Sequence, residues 1–204
     1  MTMQPRDLPA LADVILRLAD AFEELAVPYA IGGAIATSFW GIPRVTQDAD
    51  CLVAIPAVAY QRLSDALDAR GFEIEQPSGP RPVTVSALLE QVRHDKYMTL
   101  LCRATSVELF VPVVPLQQSI LKRAVERLFH GRPLRITTAE DMILLKMAFH
   151  RQKDLLDIKG ILHIQKGLLD LAYLRQWSVE MLEPPAAREL DELIATYEAD
   201  RLPE

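Results

Sequence analysis

The chain changes character near residue 136, and that switch limits the folds open to it. Before that point, short apolar runs bounded by glycine and proline alternate with stretches of helical spacing; beyond it the pattern is almost wholly helical. With 204 residues, of which 50% are hydrophobic and 25% charged, the chain can bury a proper core. The expectation is an α/β (α+β) core over residues 1–136, a mixed sheet with flanking helices. A C-terminal helical segment over 137–204 is expected to pack against it. No internal repeat is visible.

Local signals place the elements. Leu11, Val14, Ile15, Leu18, Phe22 and Leu25 recur at helical spacing and predict an amphipathic helix that stops before Val27-Pro28. Residues 29–31 read as a short strand running into Gly32-Gly33. Residues 34–40 read as a helix closed by Gly41, with Pro43 beyond it. A second strand is expected over 45–54, a helix from Pro56 to Leu67, and a brief strand over 72–75. Residues 76–83, with three prolines and a glycine, read as a loop. Residues 98–103 and 107–113 predict a hairpin turning at Ala104-Thr105-Ser106. A helix over 116–129 and a last strand over 134–136 follow. Thr137 and Glu140 have the spacing of a capping box, which opens a long helix from Glu140 to about Leu162.

Within this frame, Asp48-Ala49-Asp50 sits in an otherwise apolar strand. Side chains alternate across a strand, so Asp48 and Asp50 share a face and can hold the same divalent ions, while Cys51 turns to the other side as a small core residue. Gly32-Gly33 upstream removes side chains where a backbone could approach a phosphate. Nucleotidyl transfer needs a polarised α-phosphate and an attacking oxygen. Two hard cations about 3.5 to 4 Å apart supply both through oxygen ligands. Glu108, a lone acid in Val107-Glu108-Leu109-Phe110-Val111, is the candidate third carboxylate, because burial there without a cation or donor is costly. An edge strand facing water is the alternative. Arg44 and Thr46 fit either a phosphate contact or pairing with nearby acids.

On the helix expected from Glu140, Lys146, His150, Lys153 and Asp157 fall on one side, with Asp154 beside them. A narrow polar stripe of this kind suits a cleft wall, and equally a helix packed on two sides and wet on the third. His150 and His163 lack the spacing of a zinc site. Only Cys51 and Cys102 occur, which excludes a disulfide framework and a cysteine-based zinc cluster. A net charge of −6 argues against indiscriminate binding to nucleic acid. Lys122, Arg123, Arg127, His130, Arg132 and Arg135 nevertheless cluster within fourteen residues, as a solvated face or as a patch for nucleic acid or a partner. No uncharged apolar run reaches the roughly 18 residues of a membrane span, and Met1 to Pro9 lacks the order of a signal peptide, so a cytoplasmic protein with no membrane partner is expected.

Together these residues resemble the polymerase-beta-like nucleotidyltransferase superfamily, whose motif is a Gly-Gly or Gly-Ser turn, a short helix, and Asp-x-Asp on a strand. Within it the chain is similar to the AbiE-type abortive-infection toxins of type IV toxin-antitoxin systems. Gly32-Gly33, Gly41, Arg44, Thr46, Asp48 and Asp50 match the first block. Lys146, Arg151, Lys153-Asp154 and Asp157 match the second. The resemblance spans residues 27 to 160 and implies transfer of a nucleoside monophosphate from a nucleoside triphosphate to an acceptor hydroxyl, on RNA, tRNA or protein. It implies magnesium or manganese on Asp48 and Asp50, with Glu108 as third ligand, and a triphosphate cradled by Gly32 and Gly33. Lys146, helped by Arg151 and Lys153, would contact the nucleotide phosphates. Asp154 or Asp157 would orient that lysine or activate the acceptor. Glu108 stands where many members carry Asp, and the chain is shorter than many toxins of this group. The other reading is a non-catalytic component that binds a nucleotide, an antitoxin or another protein partner.

Overall fold

The computed structural model describes residues 10–199; Met1 to Pro9, read above for a targeting signal, and residues 200–204 lie outside the described residues. The described residues form two compact units, one of residues 10–32 and 46–136, the other of 33–45 and 137–199. The segment 33–45, expected with the α/β half, therefore clusters with the helices.

The first unit is built on one mixed eight-stranded sheet in the order β4-β3-β5-β6-β2-β1-β8-β7. Its strands are β1 (Tyr29–Ile31), β2 (Asp48–Val53), β3 (Glu73–Ile74), β4 (Arg81–Pro82), β5 (Tyr97–Cys102), β6 (Thr105–Phe110), β7 (Val125–Phe129) and β8 (Arg132–Ile136). β2 runs parallel to β6 and β1 parallel to β8, while the other pairings are antiparallel. Alternation decides what each strand buries: Ala49, Cys51 and Val53 on β2, Val107 and Leu109 on β6, and Met98 and Leu100 on β5 are all buried. Helix α1 (Ala10–Glu24) packs on β2 and β6 and against α3 (Tyr60–Ala69); Val14, Ile15, Leu18 and Phe22 form its buried stripe. Burial pushes the Cys51 thiol up, in keeping with an inert core residue.

Several sequence expectations are corrected in this unit. The strand expected from Val45 begins at Asp48. Residues 84–97, left without an element by the sequence, contain α4 (Val85–Asp95), capped by Thr84 accepting from the Ala87 amide. The first hairpin turns at Arg103-Ala104, both with positive φ (49° and 62°), and not at residues 104–106. The helix expected over 116–129 is α5 (Pro115–Arg123) followed by strand β7. β7 and β8 form a second hairpin through His130 and Gly131, both with positive φ (48° and 84°). Both are two-residue loops whose twist matches the strands they join, and glycine accepts that backbone without strain.

The second unit holds α2 (Gly33–Trp40), α6 (Ala139–Phe149), α7 (Gln152–Ile164), α8 (Leu171–Met181) and α9 (Pro184–Ala199). Its core is stitched by buried polar groups. Trp40 Nε1 donates to the Thr137 carbonyl at 2.7 Å, and Asp141 accepts from the Thr138 hydroxyl at 2.7 Å and the Tyr173 hydroxyl at 2.6 Å. The N-cap of α6 is Thr138, one residue past the expected Thr137, because the Thr137 carbonyl serves Trp40 while the Thr138 hydroxyl accepts from the Asp141 amide. The single helix expected from Glu140 to Leu162 is two. His150 adopts φ 52° and ends α6, and α7 restarts after Arg151, whose backbone amide donates to Asp154. Among the described residues, no helix is long and apolar enough to cross a membrane.

Candidate active site

In the first unit, the ladder decides where the acids stand. Asp50 is directly opposite Glu108 and Asp48 opposite Ser106 in the parallel β2–β6 pair, and Glu108 is opposite Thr99 in the β5–β6 pair. Asp48, Asp50 and Glu108 therefore occupy one face of the sheet, away from the buried Ala49, Cys51, Val107 and Leu109. Asp50 and Glu108 are half-buried and Asp48 is exposed. Placing two acids opposite each other on neighbouring strands is unfavourable by itself, and a cation offsets it. Three carboxylates on one face are hard oxygen donors of the kind magnesium takes, so the donor set fits such an ion. The side chains are not drawn together, however: among the described residues, no three His, Cys, Asp or Glu form a group able to hold a metal ion. The Asp48 carboxylate instead accepts from the Thr46 hydroxyl.

The glycine turn is fastened to the same strand. β1 is antiparallel to β2, and the Gly32 amide donates to the Asp50 carbonyl at 2.8 Å. Gly33 has φ 56° and opens α2, a backbone conformation that glycine adopts freely. Gly32 and Asp50, distant in sequence, thus share one hydrogen bond.

The second block belongs to the second unit and forms a chain of alternating charge. Arg44 Nε reaches Asp157 Oδ1 at 3.2 Å, Lys146 Nζ donates to Asp157 Oδ2 at 2.6 Å and lies 3.6 Å from Asp154 Oδ1, and Arg151 Nε donates to Asp154 Oδ2 at 2.6 Å. Lys146, Asp154 and Asp157 are buried, with 5%, 0% and 7% exposure. Burial alone pushes the Asp154 carboxyl up, but the Arg151 hydrogen bonds and the charge of Lys146 outweigh it and hold that carboxyl below the usual range. Lys146 thus directs its ammonium to acids of its own unit. Lys153 is exposed, and His150, expected on the same stripe, pairs with Glu189 at 2.7 Å.

No protein family and no curated protein sequence matches the chain. Solved structures do. The chain is similar to ANT(2")-Ia, solved in complex with adenylyl-2"-tobramycin, at 14% identity and TM-score 0.54, covering 95% of this chain and 100% of that one. It is also similar to an antigenic nucleotidyltransferase-like protein from Paracoccidioides brasiliensis, at 19% identity and TM-score 0.51, covering 91% and 92% of the two chains. The fold is of nucleotidyltransferase type.

On this nucleotidyltransferase-type sheet, Thr99 and Ser106 are polar neighbours of the carboxylates that the sequence reading passed over. Period-two alternation along β5 and β6 carries their signal. Arg132 of β8 pairs with Asp20 and Glu23 of α1, and Arg135 donates to the Leu121 carbonyl at 3.3 Å.

Proposed function

We propose that the chain is a metal-dependent nucleotidyltransferase, a cytoplasmic enzyme of AbiE-like type. An acceptor hydroxyl attacks the α-phosphate of a nucleoside triphosphate: the new oxygen–phosphorus bond forms, the bond to pyrophosphate breaks, and the hydroxyl proton passes to an acid of the carboxylate face. The observation that carries the reading is the register of Asp48, Asp50 and Glu108 on one face of β2 and β6, with Gly32 bonded to Asp50 beside them. Asp48, Asp50 and Glu108 would hold magnesium or manganese, which when bound polarises the α-phosphate and favours the ionised acceptor. Gly32 and Gly33 would present backbone to the triphosphate, without a side chain to block it.

The acceptor is an RNA, a tRNA or a protein hydroxyl in this reading. The test incubates the protein with labelled triphosphates and magnesium, with total cellular RNA, a protein extract, or tobramycin as separate acceptors. The tobramycin arm is included because the ANT(2")-Ia structure holds an adenylylated form of it. Label transfer that vanishes in the Asp48→Ala/Asp50→Ala variant supports the assignment. Transfer that persists in that variant rejects the metal site, and failure of the parent to bind nucleotide with magnesium in calorimetry rejects the reading.

A further inference from the structure

We infer that one face of α7 is a cradle that positions the segment leading into Asp48, an inference that rests on the nucleotidyltransferase reading. Asp157, Gly160 and Ile161 lie on one side of the helix and Gln165 at its C-cap continues that side, the spacing at which helical residues present a common surface. Each of the four meets the chain between Trp40 and Arg44. Gln165 Nε2 donates to the Trp40 carbonyl at 2.9 Å. A methyl on Gly41 would stand 3.0 Å from the Ile161 amide nitrogen, and one on Gly160 would stand 3.3 Å from the Ile42 amide nitrogen. Asp157 takes the Arg44 guanidinium at 3.2 and 3.3 Å through its two oxygens.

Two different physical devices therefore converge on one short segment. The glycines permit backbone to approach backbone, and the ion pair fastens the end of the approach. The segment needs such help, because Ile42, Pro43, Arg44 and Val45 are exposed and lie outside any helix or strand. Asp48, four residues beyond Arg44, is the first residue of β2, where ladder pairing begins, so its carboxylate depends on how the preceding chain is held. Lys146 and Asp154 extend the device. Lys146 holds Asp157 from the other side, and Asp154 stands beside that ammonium, so the carboxylate offered to Arg44 is itself held. In this account Asp157 and Lys146 are positioning residues, and the two sequence blocks are related through Arg44.

The experiment compares the parent with Arg44→Gln and Gly160→Ala, both of which leave the Lys146–Asp157–Asp154 chain intact. Two quantities are read: amide hydrogen exchange across residues 42–47, and the affinity for Mn2+ titrated by electron paramagnetic resonance. Exchange in that segment is expected to rise about tenfold in each variant, with α6 and α7 unchanged. Mn2+ affinity is expected to fall by about threefold to tenfold, and Arg44→Lys, which keeps a cation within reach of Asp157, recovers most of it. A parent that binds no Mn2+ rejects the nucleotidyltransferase reading and the positioning role with it. A parent that binds Mn2+, with variants unchanged in either quantity, rejects the positioning role alone.

Discussion

On the β2–β6 face of the first unit an acid stands opposite an acid, whereas Asp154 and Asp157 of the second unit face cations. Asp50 stands opposite Glu108 with Asp48 on the same face, but Asp154 and Asp157 alternate with Arg151, Lys146 and Arg44. The first arrangement sets carboxylates of neighbouring strands along one half-open sheet face. The second is a chain of alternating charge, buried at Lys146, Asp154 and Asp157, that ties α6 to α7. Residues of similar chemistry, grouped together by motif, therefore stand in different settings: one set lines a half-open sheet face, the other is buried among cations.

The largest expected effect lies on the first side of that contrast. In Asp48→Ala/Asp50→Ala, magnesium-dependent label transfer should fall by about three to four orders of magnitude, because a bound metal contributes several kcal/mol to stabilising charge in phosphoryl chemistry. Global stability in metal-free buffer should not fall in step, since Asp48 is exposed and Asp50 only half-buried. If urea unfolding shows that the variant is as badly destabilised as it is inactive, the sheet face is structural and the comparison breaks.

Lys146→Ala probes the other side. It removes the central cation between two buried carboxylates, and breaking a buried pair from one side costs about 3–5 kcal/mol. Urea unfolding measures the loss directly. If stability hardly changes, the chain is hydrated and the contrast with the sheet face disappears.

How much of this was legible in the sequence depends on which period each signal uses. The carboxylate face was readable because a strand repeats every two residues and Val45-Thr46 and Cys51-Leu52-Val53 favour extended chain around the acids. The break at His150 was not, because the apolar spacing runs on through it and only a left-handed backbone at a non-glycine residue divides α6 from α7. With that break, Lys146 and Asp157 face each other from two helices and no longer share one stripe. The hairpin at His130-Gly131 was hidden for a related reason: Leu116, Ile120 and Leu121 begin a helical spacing that Leu128 and Phe129 prolong.

The pH dependence of Asp154 sharpens the comparison further. Its folded-state carboxyl is held below the ordinary value near 3.9, so the stability it contributes is complete above about pH 4 and is lost as pH falls through the depressed folded value. Asp154→Asn should therefore be less stable than the parent at neutral pH. The gap should narrow as urea titrations are carried down in pH below about 4. A gap that stays constant across the acid limb would mean that packing, and not charge, is what Asp154 supplies.

The smallest expected effect is the most discriminating, because it tests Glu108 through magnesium alone. Glu108→Gln keeps the shape and hydrogen-bonding capacity of the side chain while removing one of two facing charges on β2 and β6. Added magnesium should stabilise the parent more than the variant, since an ion that binds the folded parent stabilises it by mass action and binds the variant less well. Thermal unfolding of parent and variant, each with and without magnesium, gives four melting temperatures. If magnesium moves both proteins equally, Glu108 takes no part in a cation site.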